Sequence, residues 1–344
     1  MDATRCHPSH WLRVFEYTPT RTHREIGEKY GVEAFMVYRF EEMLGDLDEV
    51  KLLLSLGPQD MMKAIRVNTL RVSTATVKKL LREKGFELKD YWIPYTLIVD
   101  HEPFSIGATH EYLKGYYYVQ GPNSQAPVYI TDPKPLEKSV DLAAAPGGKT
   151  TQIAQHQRDT TPIIAIDKSR TRLAALKNNA NRLGVKSIIA LVMDARLAPL
   201  KLGVERFDYI LLDAPCTGEG LLALDTSRRA SRRPEDYLDR SCLQIQLLES
   251  AVKLVKPGGR IVYTTCSTAP EENEYVVTRI LEKYGDALVV EKPRATPPGM
   301  RPGLTEYNGV KFHEDVRKCI RLYPHVTRAE GFTICVIRKT ASLG

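Results

Sequence analysis

Beyond about residue 121, short apolar runs alternate with helix-period stretches of ten or more residues, and this alternation constrains the fold more than any other feature. SVDLAAA (139–145) reads as a strand and passes through APGGKTTQIAQ into a helix. PIIAIDKS (162–169) is a second strand, and RTRLAALKNNANRLG is a helix ending at Gly184. SIIALVMDA (187–195) and FDYILLDAP are the third and fourth strands. LDRSCLQIQLLESAVKLVKPGG (238–259) predicts a helix leading into the strand GRIVYTTCS, and NEYVVTRILEKYG (273–285) another helix. ALVVEKP and FTICVIRK (332–339) supply the last strands. Strands separated by helical crossovers build a mostly parallel sheet, so an open α/β fold is expected.

Upstream the pattern differs. Residues 22–63 read as short helices, with Phe35, Met36, Tyr38, Met43 and Leu44 as a loose apolar face suited to core packing. In DLDEVKLLLSLG, Asp46 or Asp48 is the expected N-cap and Gly57 the stop. KAIRVNTL (63–70) alternates like a strand, and 73–85 is a helix carrying Val77, Leu80 and Leu81 on one face. FELKDYW and YTLIVD are further strands, before the aromatic EYLKGYYYVQG (111–121). The expected division is a helical region over 1–62, a small α+β module over 63–120, and the α/β unit over 121–344. Sheets of such small modules serve as RNA-binding surfaces, an α+β packing unit with no ligand fits the stretch equally well, and the formal charge of +7 suits a nucleic-acid partner. There is no apolar run of the ~18 residues a membrane span needs. MDATRCHPSHWLRVF lacks the apolar core of a signal peptide, so a cytoplasmic protein is expected.

Six cysteines, at 6, 216, 242, 266, 319 and 335, are too sparse for a disulfide scaffold, and no CxxC pair suggests a metal. Cys6 with His7 and His10 is the one Cys/His cluster, and no metal is expected. Cys242, Cys319 and Cys335 lie in apolar patterns and read as small buried hydrophobes. Cys216 and Cys266 are different, because each follows a strong apolar strand. In a parallel α/β sheet, the carboxyl ends of strands form the ligand crevice.

The turn AAAPGGKT (143–150) brings a glycine pair to the start of a helix, where a ligand can approach the backbone. Gly148-Lys149-Thr150 also ends like a phosphate loop, although Ala143 stands at that motif's first glycine, so an NTPase is a rival reading. Asp167 ends the second strand, 19 residues past Gly148, where an acid bonds ribose hydroxyls. Asp194 ends the third strand and suits an adenine amino group, and Asp213 ends the fourth. Three acids at three successive strand ends favour a nucleoside without a pyrophosphate, such as S-adenosylmethionine. That cofactor gives two thiols a reaction. Carbon 5 of cytosine is a poor nucleophile until a thiolate adds to carbon 6, after which it accepts a methyl group and a base removes its proton. The thiolate needs an electropositive neighbourhood, and a carboxyl group such as Asp213 on the Watson–Crick edge stabilises the adduct.

AAAPGGKT, DKSRTRLAALKNNANRLG, LLDAPCTGEG and YTTCSTAPEENE resemble the motifs of RNA cytosine-C5 methyltransferases of the Nop/Sun type. RVNTLR (66–71) and PFSIGATHEYLKGYYYVQ resemble that family's N-terminal module, and RLYPHVTRAEGFTICVIRK its C-terminal end. The resemblance extends from about residue 30 over nearly the whole chain and is nearest the archaeal tRNA-modifying branch. It implies a Rossmann-like methyltransferase domain with a mostly parallel seven-stranded sheet, preceded by a smaller helical plus RRM-like α+β domain. It implies methylation of RNA, tRNA ahead of rRNA, by a monomer using S-adenosylmethionine. By the same resemblance Cys266 is the nucleophile and Cys216 assists proton removal and RNA release, with Asp213 and Lys149 beside them. Ala143, Ala144, Ala145, Pro146, Gly147, Gly148 and Lys149, with Asp167, Arg172, Asp194 and Asp213, would hold the cofactor.

Two segments depart from the family. DTSRRASRRPEDY carries Ala230 where a tryptophan is usual, and Gln120-Gly121-Pro122-Asn123-Ser124 replaces a Gln-Glu-x-Ser-Ser segment. The first contains Arg228, Arg229, Arg232 and Arg233, which are expected to contact RNA phosphates near the site mouth. The target cytosine must leave its stack to be reached. No additional RNA-binding domain is expected after the catalytic one.

Overall fold

The computed structural model describes residues 6–343, in which a 3-10 helix (Ser9–Phe15) precedes three α-helices, α1 (Arg21–Tyr30), α2 (Ala34–Leu44) and α3 (Leu47–Ser55). Gly31 and Gly45 end the first two in left-handed backbone. Asp46 caps the third by accepting from the Asp48 N–H. Phe35, Met36, Val37, Phe40 and Met43 of α2 join one core with the main sheet.

Next come β1 (Lys63–Val67), α4 (Thr74–Arg82), β2 (Glu87–Asp90), β3 (Thr96–His101), α5 (His110–Leu113) and β4 (Tyr117–Val119). They form an antiparallel sheet in the order β2-β3-β1-β4. Ile65 and Val67 pack with Val77 and Leu81 of α4. The opposite face is not open. There Thr96 donates to Gln125 at 2.5 Å, and Arg66 donates to Thr151 at 2.7 Å and to the Gly148 carbonyl. Gln125 belongs to α6 (Pro122–Thr131), a helix absent from the expected pattern. Pro122 starts it, Pro127 lies inside it, and eight of its ten residues are buried, so it carries no amphipathic period. The sheet face expected to meet RNA is therefore covered by α6 and by Arg66's partners.

The remaining elements are β5 (Ser139–Asp141), α7 (Gly148–His156), β6 (Ile163–Asp167), α8 (Arg170–Leu183), β7 (Ile188–Val192), α9 (Ala198–Leu202) and β8 (Phe207–Asp213). They continue with α10 (Pro234–Leu254), β9 (Val255–Thr265), α11 (Glu274–Tyr284), β10 (Leu288–Glu291) and β11 (Arg301–Pro302). The chain ends through β12 (Glu306–Tyr307), β13 (Val310–Lys311), β14 (Ile320–Leu322), α12 (Pro324–Thr327) and β15 (Phe332–Lys339). The main sheet runs β11-β14-β15-β9-β8-β5-β6-β7, with β10 also on β15. Strands β7, β6, β5, β8 and β9 are parallel, and the other four pair antiparallel. This is a Rossmann-like α/β fold. Its seven expected strands are present, and two more, β11 and β14, are two and three residues long, too short to leave a pattern. Strand order reverses between β5 and β8, which opens a crevice at their carboxyl ends.

The long helix stops at Leu254, short of the expected 259. Lys256 precedes Pro257 and is pushed out of helical backbone, while Gly258 takes φ 79°, so β9 starts at Val255 through an irregular register against β8. The expectation of unpaired structural cysteines is corrected: Cys6 bonds Cys242, and Cys319 bonds Cys335. Cys319 and Cys335 flank the Ile320–Ile334 pair of β14 and β15, a register that sequence spacing does not reveal. Cys6 is spent in this way, and His7 bonds the Tyr275 hydroxyl and the Leu238 carbonyl. Among the described residues no helix is long and apolar enough to cross a membrane, and no cluster suits a metal ion.

Candidate functional site

Parallel pairing of β8 with β9 sets Asp213 opposite Thr264 and brings the following loops side by side. Ala214 N–H donates to the Thr264 carbonyl at 2.8 Å, and Gly220 N–H to the Cys266 carbonyl at 3.0 Å. Gly220 must be glycine, because a Cβ there would lie 2.3 Å from the Gly331 carbonyl oxygen. The result is a contact between the two free cysteines, with Cys216 Sγ 3.2 Å from Cys266 Sγ. Both are partly buried. The hydrogen bond to Cys266, together with burial, holds the Cys216 pKa well above the ordinary thiol value. Cys216 therefore keeps its proton.

Lys149, from the first turn of α7, reaches the same point. Its Nζ donates to Asp213 at 2.8 Å and to Ser124 Oγ at 3.0 Å, and lies 4.8 Å from the centre of the Phe332 ring. Burial opposes its charge, but Asp213 and Cys266 outweigh burial and raise its pKa. A fixed ammonium thus stands among the thiols and Asp213. The departure segment 120–124 supplies Ser124 directly to this cluster, and Gln120 braces it by donating to the Ser124 carbonyl at 3.2 Å.

The turn between β5 and α7 divides two cavities. One is lined by Leu142, Ala143, Asp167, Arg172, Met193, Asp194, Pro215 and Leu243. The other is lined by Tyr118, Ser124, Asp141, Ala143, Ala144, Ala145, Pro146, Gly148, Lys149 and Asp213. Gly147 has φ 103°, and a Cβ there would meet Leu176 at 3.0 Å, so glycine is required for the turn to pack on α8. Asp167 accepts from the Ser169 and Ala145 N–H groups at 2.9 and 3.4 Å. Arg172 donates to the Ala145 carbonyl at 2.6 Å and lies 3.5 Å from Asp167. Arg196 grips Asp194 at 2.6 Å and lowers its pKa. Apolar walls with two acids suit a nucleoside. The Thr150 hydroxyl, which a phosphate loop would offer to a magnesium ion, is instead enclosed on Asp141 at 2.7 Å. Lys149 is equally committed, and the NTPase alternative loses both of its functional groups.

Burial raises the Asp141 pKa to about 7. The folded value lies above the unfolded value of about 4. The native state therefore holds a proton that the unfolded chain releases, and stability falls as pH rises from about 4 to about 7. Asp141→Asn is expected to flatten this slope, which thermal melts at pH 5 and pH 7.5 would measure.

The arginine run follows Cys216 in a turn. Arg228 donates to Asp225 at 2.9 Å, while Arg229 donates to the Leu56 carbonyl at 2.6 Å and to the Tyr30 carbonyl at 3.4 Å. Arg229 thus binds the N-terminal helices. Arg233 is exposed, Arg232 is half-buried, and Ala230 is exposed. Sequence reasoning missed the role of PEENE. Glu271, Glu272 and Glu274 are fully enclosed, with Arg39 on Glu271 and Arg321 on Glu274. Acids in a turn ordinarily read as solvated, and the available signal was their position directly after Cys266.

Residues 128–338 match the family model described as 16S rRNA methyltransferase RsmB/F. The chain is 34% identical over 321 residues to the 25S rRNA (cytosine-C(5))-methyltransferase nop2 of Schizosaccharomyces pombe, covering 92% of this chain and 52% of that protein. It is 33% identical over 291 residues to ribosomal RNA small subunit methyltransferase F of Klebsiella pneumoniae, covering 82% and 58%. The chain spans about half the length of these curated relatives. A methyltransferase homolog protein from Pyrococcus horikoshii has a TM-score of 0.81 at 34% identity, over 93% of this chain and 99% of that one. NSun6 from Pyrococcus horikoshii, solved with SFG, has a TM-score of 0.75 at 25% identity, over 93% and 98%.

Proposed function

The chain belongs to the 16S rRNA methyltransferase RsmB/F family, and from that premise we propose that it methylates carbon 5 of a cytosine in RNA through a covalent cysteine–cytosine intermediate. The observation that carries this reading is the pair of free thiols in contact beside the Lys149–Asp213 ion pair. The residues present fit S-adenosylmethionine. The turn 143–149 offers backbone at the start of a helix, Asp167, Arg172 and Asp194 line an apolar-walled cavity on one side of it, and Asp213 lines the cavity on the other. When bound, that cofactor supplies an electrophilic methyl group.

The chain's own residues do the rest. Cys266 adds to carbon 6 as a thiolate, forming an S–C6 bond and moving the ring electrons toward carbon 5. Asp213 accepts from the base's amino edge, and the Lys149 ammonium offsets the charge that develops nearby. Addition converts Cys266 to a neutral thioether, which removes the partner that holds the proton on Cys216. Cys216 then loses its proton to water and, once carbon 5 is methylated, takes the carbon-5 proton. The electrons of that C–H bond restore the C5–C6 double bond and expel Cys266 as a thiolate. Arg228, Arg232 and Arg233 are proposed phosphate contacts on the same side, and Arg229 positions the helices behind them.

The curated relatives are named for rRNA of either subunit. We therefore propose rRNA as the substrate, with tRNA, suggested by the archaeal-type motifs, as the other arm of the test. Incubation with methyl-labelled S-adenosylmethionine and each RNA class, followed by nucleoside digestion, should give labelled 5-methylcytidine from rRNA. Label in tRNA alone reverses the substrate, and no label at cytosine carbon 5 overturns the activity.

A further inference from the structure

Glu272 lies in the turn after Cys266 and is fully enclosed. Its equally enclosed neighbours have guanidinium partners, whereas Glu272 is held by hydrogen-bond donors and has no cation partner among the described residues. One of its oxygens accepts from the Thr217 N–H at 2.8 Å and from Gln244 Nε2 at 3.1 Å. The other accepts from the Thr217 hydroxyl at 2.6 Å and from the Ser267 hydroxyl at 2.7 Å. Thr217 follows Cys216 and Ser267 follows Cys266, so one carboxyl group grips the residue after each thiol. Burying a carboxylate without a cation is costly, and removing it would leave several enclosed donors unpaired.

We propose that Glu272 is a positioning residue that sets the contact between the two thiols by holding both cysteine loops on a single carboxyl group. Its negative charge also lies close enough to Cys216 to help keep the proton there. Burial pushes the Glu272 carboxyl up, and the Thr217 and Ser267 donors pull it back. The catalytic consequence rests on the function proposed above, but the geometric claim does not.

Phenylarsine oxide tests the geometry without RNA or methyl donor. Its trivalent arsenic forms two As–S bonds to a pair of adjacent thiols, and its oxygen leaves as water with the two thiol protons. Glu272→Ala is expected to weaken arsenical capture by about tenfold or more, because a two-point attachment becomes a one-point one. The same variant should lower kcat by about 100-fold, the scale expected for a reacting group displaced by an ångström, with S-adenosylmethionine affinity unchanged. Glu272→Gln should recover most of both, since an amide oxygen still accepts from the Thr217 N–H and Gln244 while its NH2 donates to the two hydroxyls.

Wild-type arsenical affinity in Glu272→Ala overturns the proposal, as does equal damage in the Gln variant. Parallel loss of cofactor affinity overturns it too, by showing a general structural role. If Glu272→Ala does not fold, Ser267→Ala makes the same comparison on the Cys266 side alone, and unchanged capture there overturns it. Intact dithiol capture in a chain that methylates no RNA defeats the enzymatic reading and leaves the positioning role standing.

Discussion

Replacing Cys266 with alanine is expected to abolish both methyl transfer and the covalent protein–RNA adduct, with kcat lower by on the order of 10⁴-fold or more, the scale for removing a covalent nucleophile. The physical basis is the proton's location. Cys216 and Cys266 share one contact at 3.2 Å, and the Cys216 pKa is the one held high. The Lys149 ammonium, in turn, is stabilised in part by Cys266. Cys266, beside a buried ammonium and next to a thiol that keeps its proton, is the attacking group in the proposed mechanism. Folding is not expected to suffer, because Cys266 is partly exposed and its loop is held through backbone and Ser267 contacts. Methyl-label incorporation and denaturing gels of protein incubated with RNA would check the result. An adduct in Cys266→Ala would transfer the attacking role to Cys216.

Cys216→Ala is expected to do the opposite at the adduct step. Attack by Cys266 remains, since neither Lys149 nor Asp213 depends on Cys216 for its position. In the proposed mechanism release then fails, because the carbon-5 proton has lost its acceptor. A protein–RNA complex that survives denaturation should accumulate when methyl donor is present, approaching one RNA per chain, while turnover falls by on the order of 10²–10⁴-fold. Digestion of the trapped complex should recover a cytosine attached to the peptide containing Cys266. If Cys216→Ala turns over normally and traps nothing, another group removes the proton and the contact between the thiols has a different purpose.

Most of the fold behind these expectations was legible in the chain. The strands of the parallel core carry strong apolar runs, and the intervening helices end at readable glycines and caps, as at Gly184 and Asp46. Elements stabilised entirely by neighbours were not legible. Helix α6 is buried on most sides and has no period, and β11 and β14 are too short to show one. The end of α10 was misplaced because apolar residues continue to Val255, while Pro257 has already turned the backbone. Covering of the small sheet by α6 depends on how two sheets dock, and neither sheet's own pattern reports that.

For the site, local chemistry alone identified Asp167, Asp194 and Asp213 at strand ends and the glycine turn at 147–148, because strand direction and backbone freedom dictate where such groups lie. Sequence motifs placed Cys216 and Cys266 in the same crevice. Only the tertiary structure decided that their sulfurs touch, that Lys149 joins Asp213 across 64 residues of chain, and that Ser124 completes the cluster. It also decided that four further cysteines pair as disulfides. These outcomes share one physical reason. Each depends on the register of neighbouring strands or the docking of one layer on another, and those distances arise between segments far apart in sequence.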